Sequence, residues 1–245
     1  MSGKSPEFEL LKDYFTCNLD ESSFLASDGI IRVIGNSKKR KHEKNIADSR
    51  DSITIVRVGS AGGVDGPRIY LAKGQRLEYE CLINFCKHHD APPGSCVEMT
   101  PNAYMTTEAW RKICPNLCKG IRNMEVIVDH PDWWVVLSLD GFGSHLDPPS
   151  LVEFAKYKIM VLKEEDDTSQ VYQAYDQKVV KDDKRWSRKL LDGYTFHVKN
   201  TITQWELILV VNTEINKFCK GDAWKLSFVK VKLYPSQRLP FKVWV

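Results

Sequence analysis

Residues 133–140, WWVVLSLD, form an almost continuous apolar run that ends in an acid. A strand that is apolar at successive positions has both faces covered, as in parallel sheets sandwiched between helices. The chain must therefore supply helices to both sides of a sheet, and Asp140 falls at the carboxyl end of its most buried strand. In α/β sheets such strand ends open onto the crevice where ligands bind.

The segments on either side supply the rest of that architecture. Residues 14–19 (YFTCNL) are aromatic and β-leaning and stop at Asp20-Glu21 and two serines, which predicts a buried first strand ending at Asp20. Residues 29–34 (GIIRVI) and 52–58 (SITIVRV) are β-branched runs, and the polar stretch 36–51 between them reads as a long hairpin loop, giving a three-strand meander. Residues 59–67 (GSAGGVDGP) are turn-rich and lead into RIYLAKG, while 78–96 carry no clear pattern. Thr106-Thr107-Glu108 ahead of AWRKICPNL predicts a helix from about residue 107, with Pro115 as its kink or end. Pro148 and Pro149 introduce a short helix over 150–157, residues 158–162 (KIMVL) read as another buried strand, and 170–180 as a helix carrying Asp176.

Three strands, helix, strand, helix, strand, helix is an α/β order with a mixed sheet flanked by helices. Ribonuclease-H-like domains have this order. The expected division is a core over residues 13–190 and a C-terminal helical appendage over 191–245, amphipathic around 205–218 and packed on the core.

With 245 residues, 42% of them apolar, the chain is long enough for one sizeable core. Lys and Arg exceed Asp and Glu only by 35 to 32, so a nucleic-acid partner has to meet a local basic surface rather than a polycation. Two stretches qualify. Lys38, Lys39, Arg40 and Lys41, with Lys44 nearby, sit in the predicted hairpin loop, and Lys184 and Arg185 belong to a basic run after Asp176. Trp186, inside that run, reads as a core residue or as a stacking platform for a base.

The seven cysteines are an odd set with no secretory leader ahead of them, which points to a reducing compartment, cytosol or nucleus. No window approaches the ~18 apolar residues of a membrane span, so no membrane partner is expected. Cys81, Cys86, His88, His89 and Cys96 lack zinc-ligand spacing, and the glycines of 59–66 lack the Gly-Lys-Ser/Thr ending of a phosphate loop.

Asp20, Asp140 and Asp176 lie in different segments, the last after 35 intervening residues. Carboxylates converging from separate segments are what a two-metal phosphodiester site requires. Read singly, each also suits a turn or a solvated helix face. Gln173, three residues before Asp176, would share its face on a helix.

The blocks Asn18-Leu19-Asp20-Glu21-Ser22, Leu139-Asp140-Gly141-Phe142-Gly143-Ser144-His145 and residues 169–176, with Gln173 ahead of the acid, resemble the three catalytic blocks of the DDE superfamily endonucleases. That family includes pogo-like transposases and their domesticated derivatives. The resemblance runs in order from about residue 13 to 180. It implies a ribonuclease-H-like catalytic domain in which Asp20, Asp140 and Asp176 hold two Mg²⁺ or Mn²⁺ ions. DNA would be the substrate, with Gln173 supporting the cluster and His145 near the phosphate. A second copy of the chain or a targeting protein, and a nuclear location, are implied with it.

The sequence departs from the family at Ala174, where a proline is usual, and at Gln170, where a histidine is usual. Only 19 residues precede Asp20, too few for the helix-turn-helix domains of these transposases. The competing expectation is therefore an inactive domesticated relic that works as a nucleic-acid-binding or protein-interaction module.

Overall fold

The computed structural model describes residues 6–26, 52–77, 80–141, 143–164, 173–197, 202–218, 221–231 and 242–243. After a short helix α1 (Pro6–Leu11), strands β1 (Thr16–Leu25), β2 (Ser52–Ser60) and β3 (Asp65–Lys73) form an antiparallel meander. Helices α2 (Glu80–Ile83) and α3 (Phe85–His89) lead to β4 (Cys96–Thr100), and α4 (Thr107–Arg122) crosses back to β5 (Val135–Leu139). Next come α5 (Pro148–Lys156), β6 (Ile159–Lys163) and a π-helical turn over Tyr175–Val179 that continues as α6 (Val180–His197). Helices α7 (Gln204–Phe218) and α8 (Asp222–Lys230) and the two-residue strand β7 (Lys242–Val243) complete the described chain.

The sheet runs β4-β3-β2-β1-β5-β6-β7, with β1, β5 and β6 parallel to one another and β2 opposed to both its neighbours. A meander followed by two parallel strands on the far side of β1 is the ribonuclease-H-like order, here with β4 and β7 added at the edges. Helices flank it on both faces, so the chain is an α/β protein with a mixed sheet. Among the described residues no helix is long and apolar enough to cross a membrane.

Side-chain alternation gives the two faces different chemistry. Cys17, Leu19, Val56, Val58, Leu137 and Leu139 point to one face, where Trp110, Ile113 and Leu117 of α4 and Phe154 of α5 close an apolar core. Thr106 starts α4 by accepting the Ala109 N–H at 3.1 Å, and Asp147 does the same for α5 with Ser150 at 3.3 Å. On the other face Ile53, Ile55 and Tyr70 meet Leu207, Ile208 and Val211 of α7. A third cluster joins Tyr175 and Val179 to Trp224 and Phe228 of α8.

A charged network fixes the helices of this second face. The fully buried Arg57 of β2 donates through Nη1 to both oxygens of Asp183 of α6, at 2.6 and 2.5 Å, and pairs through Nη2 with Asp65. Asp65 also accepts from Arg68 at 2.6 Å and from the Trp224 indole at 3.1 Å, and Arg68 reaches Asn212 of α7 at 2.9 Å. Gly59 makes the Trp224 contact possible, since a Cβ there would stand 2.0 Å from the indole.

Several sequence expectations need correction. β1 does not end at Asp20 but continues to Leu25, because its pairing with β2 extends to Leu25↔Ser52; the polar Glu21, Ser22 and Ser23 belong to the strand. The meander is completed by RIYLAK as β3, and residues 29–34 and 36–51 lie outside the described residues. The unassigned stretch after residue 78 holds two short helices and ends at β4, an edge strand whose mixed polarity hides it. Pro115 lies inside α4 without ending it.

Asp183→Ala leaves Arg57 in the interior with half its compensation. Unfolding by urea should show a loss of about 3–5 kcal/mol, and a loss below ~1 kcal/mol would show that Arg57 is neutralised some other way.

Candidate active site

Asp20, Asp140 and the residue after β6, Glu164, occupy the carboxyl ends of three adjacent parallel strands. β1 pairs with β5 only as far as Asn18↔Ser138, so Asp20 stands just past the last parallel pair although it is inside the longer antiparallel ladder. Glu164 follows β6 directly, and its N–H donates to the Leu139 carbonyl at 2.9 Å, beside Asp140. By alternation these acids share the face that carries Arg57 rather than the apolar face. Asp176 enters from the π-helical turn that opens α6. Single π turns inside helices recur at functional sites because they re-aim a side chain.

Two polar side chains tie the acids together. Asn18, fully buried, donates to the Ser138 carbonyl at 3.3 Å, the Ser138 hydroxyl at 3.1 Å and Glu164 Oε1 at 3.2 Å, and its Oδ1 accepts the Tyr175 N–H at 3.0 Å. It thereby joins β1, β5, β6 and the start of the Asp176 helix. Gln173, with its amide nitrogen turned toward the acids, donates at 3.1 Å to both Asp20 Oδ2 and Asp176 Oδ2. The separation of those two oxygens is therefore at most twice that distance.

His145 sits beneath the cluster, 2% exposed, with Nδ1 at 2.6 Å from Asp140 Oδ1 and Nε2 at 2.8 Å from Glu21 Oε1. Its ring lies 4.5 Å from that of the buried Trp110. Burial works against its charge, but bonds to two carboxylates outweigh that and raise its pKa to about 9, so the ring is an imidazolium that donates from both nitrogens.

Asp20, Glu164 and Asp176 are held in surroundings that resist their ionisation. Burial raises Asp20 to about 8, opposed by the Glu21 N–H and reinforced by the charges of Asp176, Asp140 and Glu164. Glu164 is raised to about 7, by burial first and then by Asp140 and Asp176. Asp176 is raised by burial and lowered by Lys184 and Lys181. Mutual repulsion of this kind operates only among carboxyls that are close together. Among the described residues, no three His, Cys, Asp or Glu side chains are grouped tightly enough to enclose an ion as they stand.

The sequence-derived residues thus distribute unequally. Asp20, Asp140, Asp176, Gln173 and His145 come together. Lys184 and Arg185 are exposed on α6, Lys184 near enough to act on Asp176 and Arg185 over the Trp186 ring at 5.1 Å. Trp186 itself stacks on Phe218 at 4.3 Å. Lys38, Lys39, Arg40 and Lys41 lie outside the described residues. Glu164, Asn18 and Glu21 were not singled out by chemistry. Glu164 opens an acidic loop that reads as solvated, and only its position one residue past a buried strand marks it.

No protein-family model matches the chain, and no curated protein resembles it in sequence. Among solved structures it is similar to a pre-cleavage Mos1 transpososome, at 8% identity and TM-score 0.44 over 93% of this chain and 59% of that one. It is also similar to the Mos1 mariner paired end complex with Mn, at 9% identity and TM-score 0.46 over 90% and 56%. The chain spans less than two thirds of the length of these proteins.

The raised pKa values fix a pH dependence. An acid whose folded pKa exceeds its unfolded one stabilises the fold while protonated, and that contribution is lost as pH rises toward the folded value. For Asp20 the window runs from its ordinary 3.8 to about 8, and for His145, by the same sign, from 6.5 to about 9. Melting temperature in EDTA should therefore fall between pH 6.5 and 9, and fall less steeply in Asp20→Asn; identical slopes would contradict the assignment for Asp20.

Proposed function

We propose that this chain is a DNA-binding, transposase-like core that cuts or transfers phosphodiesters with two divalent ions, Mg²⁺ or Mn²⁺, held by Asp20, Asp140 and Asp176. The observation that carries the reading is the convergence of Asp20, Asp140 and Glu164 at the ends of parallel strands, Asp20 and Glu164 being buried and neither paired to a cation among the described residues. Carboxylate oxygens are the donors that Mg²⁺ and Mn²⁺ prefer. The orphaned, buried Glu164 Oε2 fits the same demand.

When bound, the ions would supply an activated water or 3′-hydroxyl and stabilise the leaving oxygen of an in-line displacement. The chain's own groups do the positioning. His145 fixes Asp140 from behind, Asn18 sets the height of the Asp176 helix against the strands, and Gln173 holds Asp20 and Asp176 at a common distance. Lys181, Lys184, Arg185, Arg188 and Lys189 are exposed along α6 immediately after Asp176, a basic approach for a phosphate backbone next to the acids. The same reading puts the protein in the nucleus and leaves target choice to a second copy of the chain or to a targeting protein.

One observation favours the alternative of an inactive relic. The Gln173 amide already satisfies an oxygen on each of Asp20 and Asp176, as a protein retaining the fold without the chemistry would need.

Incubation of supercoiled plasmid with Mg²⁺ or Mn²⁺ at low salt, beside Asp140→Ala, separates the two. Nicking that drops to background in the variant is the expected result. DNA binding without nicking by either protein would establish the relic, and loss of both would overturn the DNA reading.

A further inference from the structure

We infer that Glu164 is a fourth cation-holding carboxylate of this cluster, presenting Oε2 to a divalent ion while Asn18 holds Oε1. The inference rests on the metal-binding reading above and names a residue outside the three aspartates.

Glu164 has the two properties a metal ligand needs, a fixed orientation and a free oxygen. Orientation comes from the Asn18 amide on Oε1 at 3.2 Å and from the backbone bond between the Glu164 N–H and Leu139. Because Asn18 is itself bound to Ser138 and to the Tyr175 N–H, the carboxylate is referenced to the strands that carry Asp20 and Asp140 and to the helix that carries Asp176. The free oxygen is Oε2, which has no hydrogen-bond partner although the residue is only 2% exposed. A buried carboxylate oxygen left bare is a cost that folded proteins rarely accept without a ligand or a charge to meet it. The Glu164 carboxyl also feels the charges of Asp140 and Asp176, in keeping with its place beside the end of β5, where its N–H meets the Leu139 carbonyl.

The plain alternative is that Glu164 is a strut for Asn18. The two differ in what its charge does. A strut needs only Oε1 as acceptor, which glutamine supplies equally well. A ligand needs the negative oxygen that glutamine replaces with an amide nitrogen.

Mn²⁺ binding to the full chain, followed by the loss of free-ion electron paramagnetic resonance signal, would be compared among the unaltered protein, Glu164→Gln and, as a distant carboxylate control on β4, Glu98→Gln. Thermal unfolding in EDTA would run alongside. The expected result is Mn²⁺ binding weakened by roughly tenfold or more in Glu164→Gln alone, together with a higher melting temperature for that variant in EDTA, where the bare charge serves nothing. Binding unchanged in Glu164→Gln would overturn the inference and leave the three-aspartate site standing. Absence of Mn²⁺ binding in the unaltered protein would overturn both. An unchanged melting temperature in EDTA with unchanged binding would identify Glu164 as a strut.

Discussion

The buried guanidinium of Arg57 is the constraint on which the second layer of this protein depends. A charge at the middle of a central strand is tolerable only when it is fully answered. Here the answer comes from two separate segments, Asp65 at the start of β3 and Asp183 on α6. Helix α6 cannot shift along the sheet without exposing or orphaning Arg57, and Trp224 covers the guanidinium from α8 at 5.7 Å. Through Asp65 the network passes to Arg68 and on to Asn212, whose amide donates to the His89 carbonyl at 2.8 Å. Directional bonds therefore set where three helices sit, in a layer whose apolar contacts alone would tolerate sliding.

That network also clarifies the acid cluster beside it. Arg57 stands opposite Asp20 in the β1–β2 ladder, yet its Nη groups are committed to Asp183 and Asp65. The protein thus contains two sets of buried carboxylates on one sheet face. One is neutralised by arginines, and Asp65 is driven below its ordinary pKa by Arg57 and Arg68 despite its burial. The other, around Asp20 and Glu164, is pushed the opposite way. Carboxyls buried without a cation, on the same sheet face as a set that has one, are the kind of perturbation that marks a candidate functional site.

The legible part of the site was its strand ends. The apolar run before Asp140 and the order of elements indicated the α/β sheet, and the resemblance of three blocks to the DDE superfamily singled out Asp20, Asp140 and Asp176. Less legible were contributions that depend on one face of a strand. Glu21, Ser22 and Ser23 looked like a turn because β1 is polar where it borders the site, and β4 was lost because an edge strand need not be apolar on either side. Glu164 was concealed by the acidic residues after it, and Arg57 by its type, since an arginine inside SITIVRV reads as a solvent-facing residue until Asp183, 126 residues later, is brought to it.

The C-terminal helices bear on the acids more directly than their distance in sequence suggests. Asp176 follows Tyr175, whose N–H is held by Asn18 and whose ring stacks on Trp224 at 5.9 Å. Its position is accordingly set from two directions, by the sheet through a hydrogen bond and by α8 through an aromatic contact. Gly59 allows that contact by letting the indole rest on β2, and Asp65 fixes the indole by accepting its N–H. Thus the geometry of the third aspartate is supplied by residues 59, 65 and 224, none of which is an acid of the cluster. A substitution that displaces the Trp224 indole would move Asp176 while leaving Asp20 and Asp140 on their strands, separating the contribution of the helix-borne acid from that of the sheet.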